Sequence, residues 1–519
     1  MKTTSFPVID IFAGPGGLAE GFSEYSTNRR QPFRVALSIE KDPIACKTLK
    51  LRKFFRSFRT VPDEYIAYLN GQISLDDLYV AYPAQETAAG GATWHAELGQ
   101  ESEKAVFDRV SSAIGPHHGE WILVGGPPCQ AYSLVGRSRM RSTKPDFEDD
   151  KRHFLYREYL KIVAKSHPAV FVMENVRGIL SSTHGGSGIF ERIVRDLRSP
   201  AAALGILKHR GLSYRLYGLG AAGGREYLDG DDPVEHFLLR AERYGVPQAR
   251  HRVFIVGVRS DVAGVPPPLE PSSALIKVSD VIADLPPIRS RLSTGGDSWE
   301  TWIDAVRSVK AHAWMGAGAT SDFSAVARRA REALRQLSNP LGVGGRMLTF
   351  GRRSPAPGGL GAWYRAGATG LTLHEARGHM KEDLHRYLFC ASYADVTGRS
   401  ATLRDFPVEL RPRHKNVREA VDGNMFADRF RVQTADRPSS TVTSHMAKDG
   451  NYFIHYSAEQ CRTLTVREAA RLQTFPDSYQ FCGNRTEQYH QVGNAVPPRL
   501  AMRVAASVHK VLRPNAGDL

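Results

Sequence analysis

Short apolar runs broken by polar or glycine-rich turns dominate the first half of the chain. Phe6-Pro-Val-Ile-Asp-Ile-Phe12 predicts a strand, Ala13-Gly-Pro-Gly-Gly17 a tight turn, and Leu18-Ala-Glu-Gly-Phe22 a helix. Phe33 to Ile39, ending in Glu40, predicts a second strand, and Ile44 to Arg52 a second helix. This strand-turn-helix-strand order is the opening of a doubly wound α/β fold. Patterning weakens over residues 54–119, read as an insertion in which Ala88-Ala-Gly-Gly-Ala92 forms a loop. Strand rhythm returns at Trp121–Val124, Ala169–Met173, Tyr214–Tyr217 and Val253–Val258, and such runs suit strands buried on both faces of a sheet. Further insertions fall at 181–211 and 221–235.

After Arg259 the pattern changes. Pro266-Pro-Pro268 marks a boundary, and glycine, arginine and proline stay frequent to about Arg437, predicting a second, smaller domain. Its stretch Ser321 to Arg353 holds seven arginines against Asp322 and Glu332, a candidate phosphate-tracking surface whose plainer reading is a solvated helix face. From Cys461 the periodicity is helical again at Leu464–Leu472, and a closing helix begins at Ala501. The expected organisation is therefore 1–259, 260–437, and a segment 438–519 that returns to the first domain.

Composition narrows the class. With 519 residues, 42% hydrophobic and 24% charged, the chain has the makeup of two or three globular units. Lys and Arg exceed Asp and Glu by 69 to 54, and a net charge of +15 makes nucleic acid the first partner to consider. The five cysteines, Cys46, Cys129, Cys390, Cys461 and Cys482, include no Cys-x-x-Cys pair, so neither a disulfide framework nor a zinc ribbon is expected. No apolar run of about 18 residues and no signal-peptide pattern occurs, so the expectation is a cytoplasmic protein without membrane contact.

Four constellations carry chemistry. Gly14-Pro-Gly-Gly17 lets the backbone approach a cofactor, and Glu40 could accept from two ribose hydroxyls. Gly125-Gly-Pro-Pro-Cys-Gln130 follows a buried strand and would expose Cys129 at the carboxyl edge of the sheet. There it is a candidate nucleophile, its thiolate favoured by Arg137 and Arg139, or else a small packed residue. Phe171-Val-Met-Glu-Asn-Val176 ends with Glu174 at the strand mouth, able to donate to a ring nitrogen, to pair with Arg250 or Arg252, or both. Gln248-Ala-Arg-His-Arg252 precedes the last strand, and alternation sends Arg250 and Arg252 to one side, able to grip a carbonyl oxygen and an acid. Asp146-Phe-Glu-Asp-Asp150 reads as solvated loop carboxylates, and no metal is expected.

Taken in order, Asp10-Ile-Phe-Ala-Gly-Pro-Gly-Gly17, Gly126-Pro-Pro-Cys-Gln130, Glu174-Asn-Val176, Gln248-Ala-Arg-His-Arg252, Leu464-Thr-Val-Arg-Glu-Ala-Ala-Arg-Leu-Gln473 and Gln491-Val-Gly-Asn-Ala-Val-Pro-Pro498 resemble the DNA cytosine-5 methyltransferase family. The resemblance runs through almost the whole chain as spaced blocks and leaves the insertions and most of the second domain unmatched. It implies a Rossmann-like, S-adenosyl-L-methionine-dependent methyltransferase domain with a smaller DNA target-recognition domain. Phe12, Gly14, Gly16, Gly17, Leu18 and Glu40 would hold the cofactor, with Pro127, Asn494, Ala495 and Val496 completing the pocket. Cys129 would attack C6 of a flipped cytosine while Glu174 donates to N3, Arg252 holds the base through O2, and Arg250 positions the glutamate and the nucleotide. The loop Arg137 to Lys144 resembles the family's mobile loop, with Gln130, Ser133 and Arg137 facing DNA. Thr441 matches a position beside the flipped nucleotide's phosphate, with strand packing as the alternative.

Glu97, in His95-Ala-Glu-Leu98, matches the family's adenine-contacting acid poorly, and the helix Leu464–Leu472 is assigned a structural role only. The implied function is methylation of cytosine C5 in a specific double-stranded DNA sequence. The setting would be the cytoplasm of a prokaryote, on the nucleoid, as self-marking beside a separate restriction or phage-defence protein. Two other readings remain: a tRNA substrate, against which the long second domain counts, and a silent DNA-binding scaffold, against which Cys129 and Glu174 count.

Overall fold

The computed structural model describes residues 5–27, 30–117, 119–128, 151–181, 183–184, 187–206, 212–316, 321–337, 339–351, 356–412 and 428–513. The chain divides into two compact units, one formed by 1–59, 82–274 and 495–519, the other by 60–81 and 275–494. Among the described residues no helix is long and apolar enough to cross a membrane.

The first unit is built on an eight-stranded sheet. Its strands are β1 (Phe6–Ile11), β2 (Phe33–Glu40), β3 (Thr93–His95), β4 (Ile122–Gly125), β5 (Val170–Val176), β6 (Tyr214–Tyr217), β7 (Leu238–Arg240) and β8 (His251–Arg259). They lie in the order β3-β2-β1-β4-β5-β8-β6, with β7 also on β8. The first five are mutually parallel, whereas β8 runs antiparallel to β5, β6 and β7. Every residue of β1 and β4 is buried, as their near-continuous apolar sequences require of strands covered on both sides. Alternation divides the side chains into two cores. Ile9, Ile11, Leu123, Phe171 and Ile255 pack on one face, and Val8, Ile122, Val124, Val172 and Val256 on the other.

Helices cover both faces. They include α1 (Gly17–Glu24), α2 (Pro43–Phe55), α3 (Pro83–Gly91) and α4 (Glu103–Ile114). Asp42 caps α2 by accepting from the amides of Ile44 and Ala45, with Pro43 in the first turn. The segment Ala88–Ala92, expected as a loop, lies in the last turn of α3 and its C-cap. Alanines and a proline start favour the helix despite two glycines, and Glu86 anchors it to Lys50 of α2 at 2.5 Å. Strand order reverses between β1 and β4, so the crevice at their carboxyl ends is the place such a sheet offers to a ligand.

The second unit has its own apolar core, including Trp302, Trp314, Leu388, Phe389, Leu403 and Phe406. The helix Val466–Leu472 is buried throughout, yet it carries Arg467, Glu468 and Arg471. Arg471 binds both oxygens of Asp477 (2.9 and 2.7 Å), Asp284 (2.6 Å) and the Val281 carbonyl, while Glu468 pairs with both terminal nitrogens of Arg462 (2.6 and 2.7 Å). These bonds hold residues 438–494 within the second unit. The return to the sheet thus begins at Ala495 rather than at 438 as expected from sequence.

The arginine-rich stretch is partly structural. Arg329 pairs with Asp395 and Glu459, and Arg346 donates to the carbonyls of Leu69 and Tyr68 (3.1 and 3.3 Å), whereas Arg328 and Arg335 are exposed.

Candidate active site

The turn after β1 is shaped by three left-handed residues, Phe12 (φ 54°), Gly14 (φ 55°) and Gly16 (φ 92°). A bulky residue such as Phe12 adopts that conformation only under constraint, and it opens the backbone at the mouth of the crevice. Glu40, the last residue of β2, closes the other side. Its Oε2 accepts from the Gly14 amide at 2.7 Å, and its Oε1 accepts from the amides of Lys41 and Asp42 at 2.9 Å each. Three backbone donors therefore fix the carboxylate that sequence reasoning selected for ribose.

Asp10 was not singled out in the sequence, although a carboxylate inside an apolar strand is a signal. It is fully buried, and burial first, then the charge of Glu40, hold its pKa well above the ordinary value. The Ala19 amide lowers it somewhat, but neither carboxylate oxygen reaches hydrogen-bond geometry. A glutamate fixed by three amides beside an open glycine turn fits a ribose-bearing cofactor.

Gly17 carries a packing constraint besides the cofactor role expected of it. A Cβ there would lie 2.0 Å from the Val496 carbonyl oxygen, so the missing side chain lets the chain's return segment seat against the start of α1. Leu18 and Val496 are both buried in one apolar cluster, and Ala495 is buried beside them in sequence. Asn494 is exposed, its amide 2.9 Å from His490.

The loop after β4 begins beside Glu174. A Cβ on Gly126 would lie 2.6 Å from Glu174 Oε2, so this glycine makes room for the carboxylate. Pro127 is buried, and its carbonyl accepts from Asn175 Nδ2 at 3.3 Å. Because β8 is antiparallel to β5, its first residues lie beside the carboxyl end of β5, with Arg252 opposite Val176 and Phe254 opposite Glu174. That diagonal brings Arg252 Nε within 2.9 Å of Glu174 Oε1. Arg250, just before the strand, is 2% exposed. Burial and then the repulsion of Arg252 push its pKa well down, against the pull of Glu174. Arg252 thus pairs with the glutamate directly, and the Arg250 charge lies close enough to act on it as well.

Cys129, Gln130, Ser133, Arg137, Arg139 and the carboxylates of Asp146–Asp150 lie outside the described residues. Gly126, Pro127 and Pro128 lead directly to Cys129. Thr441 is half-buried in the second unit. Glu97 follows β3, is exposed, and lies 3.7 Å from Lys41.

Comparison with known proteins bears on this arrangement. The family model for C-5 cytosine-specific DNA methylases matches residues 119–200, 233–339 and 369–510. A type II methyltransferase of Bacillus paralicheniformis, M.Bpa9945I, is 30% identical over 97% of this chain and 99% of its own length. M.AgeI of Thalassovita gelatinovora, also a type II methyltransferase, is 29% identical over 96% and 98%. The DNA (cytosine-5-)-methyltransferase M.ApeKI of Aeropyrum pernix is 27% identical over 75% and 81%. Among solved structures, a candidate DNA modification methyltransferase encoded within an E. coli prophage shares the fold, with a TM-score of 0.50 at 18% identity, covering 98% of this chain and 100% of its own.

Proposed function

This chain belongs to the C-5 cytosine-specific DNA methylase family, and from that premise we propose that it methylates C5 of a flipped cytosine in one short double-stranded DNA sequence, using S-adenosyl-L-methionine and a covalent Cys129 adduct. The observation that carries the reading is the pairing of Glu174 with Arg252 against Gly126, three residues before Cys129.

The chain's own groups divide the work. The Cys129 thiolate forms a bond to C6 of the ring, and Glu174 passes a proton to N3, so that C5 becomes an enamine carbon. Arg252 on Oε1 leaves Oε2 as the oxygen that carries that proton, and it stabilises the carboxylate left behind. S-adenosyl-L-methionine, when bound, supplies the methyl group. C5 then loses its proton to a base, the Cys129–C6 bond breaks to restore the thiolate, and N3 returns its proton to the Glu174 carboxylate. Phe12, Gly14 and Gly16 with Glu40 form the cofactor's side of the crevice, joined by Pro127 and the backbone at Asn494–Val496. Gln130, Ser133, Arg137 and Thr441 are the proposed DNA contacts, and residues 260–437 the target-recognition region.

The curated relatives named as type II methyltransferases support a restriction-modification setting in a prokaryotic cytoplasm, with the cutting or defence protein encoded separately. Bisulfite sequencing of unmethylated plasmid after incubation with the protein and S-adenosyl-L-methionine tests the reading, beside Cys129→Ala. Protected cytosines confined to one sequence context and absent with Cys129→Ala are expected. No protected cytosine on any DNA would sink it.

A further inference from the structure

The first unit carries a second concentration of positive charge at the far ends of the strands from the glycine turn. A cavity of about 330 Å³ opens beside the start of β2, lined by Arg34, Ala36, Gly91, Arg109, Gly115 and His117. It forms where the sheet edge is incomplete, because β3 pairs only with Ser38, Ile39 and Glu40 and leaves the first half of β2 without a neighbour on that side. Lys53 of α2 covers part of this edge by donating to the Val35 carbonyl at 2.7 Å. Arg109 of α4 donates one terminal nitrogen to the Gly91 carbonyl at 2.8 Å, while its Nε–H is buried without an acceptor. Arg34 is exposed.

Among the described residues no carboxylate pairs with Arg34, Lys53 or Arg109. Asp108, next to Arg109 in sequence, is engaged by Lys104 at 2.5 Å. Burial, then the charges of Arg34 and Arg56, push the Lys53 ammonium down to about 8. The carboxyl end of α4 offers roughly half a negative charge, which falls short of three cationic side chains.

We propose that this cavity is an anion site that takes a phosphate group, with the guanidinium groups of Arg34 and Arg109, both of which line it, as donors. Arginine's planar fork suits tetrahedral oxyanions, and the volume lies at the small end of ligand sites. Arg34 and Glu40 are six residues apart on one strand, ~20 Å at the usual rise, so this ligand is neither the methyl donor nor the target base. The phosphate belongs either to a free phosphorylated compound or to the backbone of DNA running past the target.

The test uses the full-length protein and inorganic pyrophosphate, against sodium chloride of equal ionic strength. A saturable rise in Tm is expected, absent in Arg34→Gln/Arg109→Gln and partly restored in Arg34→Lys/Arg109→Lys. If the source is DNA, pyrophosphate acts weakly. Binding of a long duplex then loses about one unit of its log–log salt slope in the glutamine variant, while a duplex trimmed to the target site shows no change. Neither a pyrophosphate response nor a change in slope would overturn the proposal. Should the double variant not fold, the exposed Arg34→Gln alone carries both measurements.

Discussion

At Gly126 one added methyl group probes the site's geometry. Its Cβ would lie 2.6 Å from Glu174 Oε2, so Gly126→Ala must displace the carboxylate. A displacement of about 1 Å costs on the order of 10²-fold in rate. Initial rates of methyl incorporation should fall by that factor with Tm nearly unchanged, and a wild-type rate would show that this carboxylate is not the proton donor. Glu174→Gln, which keeps the shape and loses the proton, should lower kcat by roughly 10²- to 10⁴-fold without weakening DNA binding, as gel shift and turnover together would show. The pairing of Glu174 with an arginine was legible because an apolar strand ending in a carboxylate calls for a partner. That Arg252 forms the ion pair depends on where β8 begins, which alternation alone does not fix. Clearance is equally invisible in a motif: nothing in the sequence places the Val496 carbonyl against Gly17.

At the scale of elements, the helix Val466–Leu472 was legible by its period but its interior character was not. Two arginines and a glutamate give no sign of burial in the sequence, yet all are buried, because Asp477, Asp284 and Arg462, as well as backbone carbonyls, pair with them from outside the helix. Arg471→Met removes one cation and leaves Asp284 and Asp477 buried without it. A loss of about 3–5 kcal/mol follows for breaking such a pair, to be read from urea unfolding. A loss under about 1 kcal/mol would mean that the aspartates find other partners or water. The strands β3 and β7, three residues each, are too short to leave a hydrophobic period, whereas the six longer strands of the same sheet all stood out; Gly344–Leu348 and Leu371–Glu375 in the second unit did not. The alanine- and glycine-rich end of α3 misled for the opposite reason, its composition being that of a loop and its anchor, Lys50, lying 36 residues from Glu86.

At the scale of the whole molecule, proton uptake sets an acid limit. His379 and His455 are pushed down to about 3 and His385 to about 4, in each case first by burial. The folded rings therefore stay neutral where the unfolded chain, titrating near pH 6.5, gains protons. Their contribution to stability is complete above that pH and declines as the pH falls toward the folded values, by up to about 1.4 kcal/mol per pH unit for each ring. All three belong to the second unit, so its unfolding transition should move to lower temperature between pH 7 and 5 in calorimetry. A flat profile would mean that the folded rings are already protonated.

The contact of Gly17 with Val496 has a consequence in time. About 480 residues separate the two, and a ribosome adding roughly 5–20 residues per second needs from half a minute to a minute and a half to connect them. Throughout that interval the glycine turn exists without the segment that seats against it. A nascent chain of this protein therefore cannot complete its crevice before Val496 has left the ribosome.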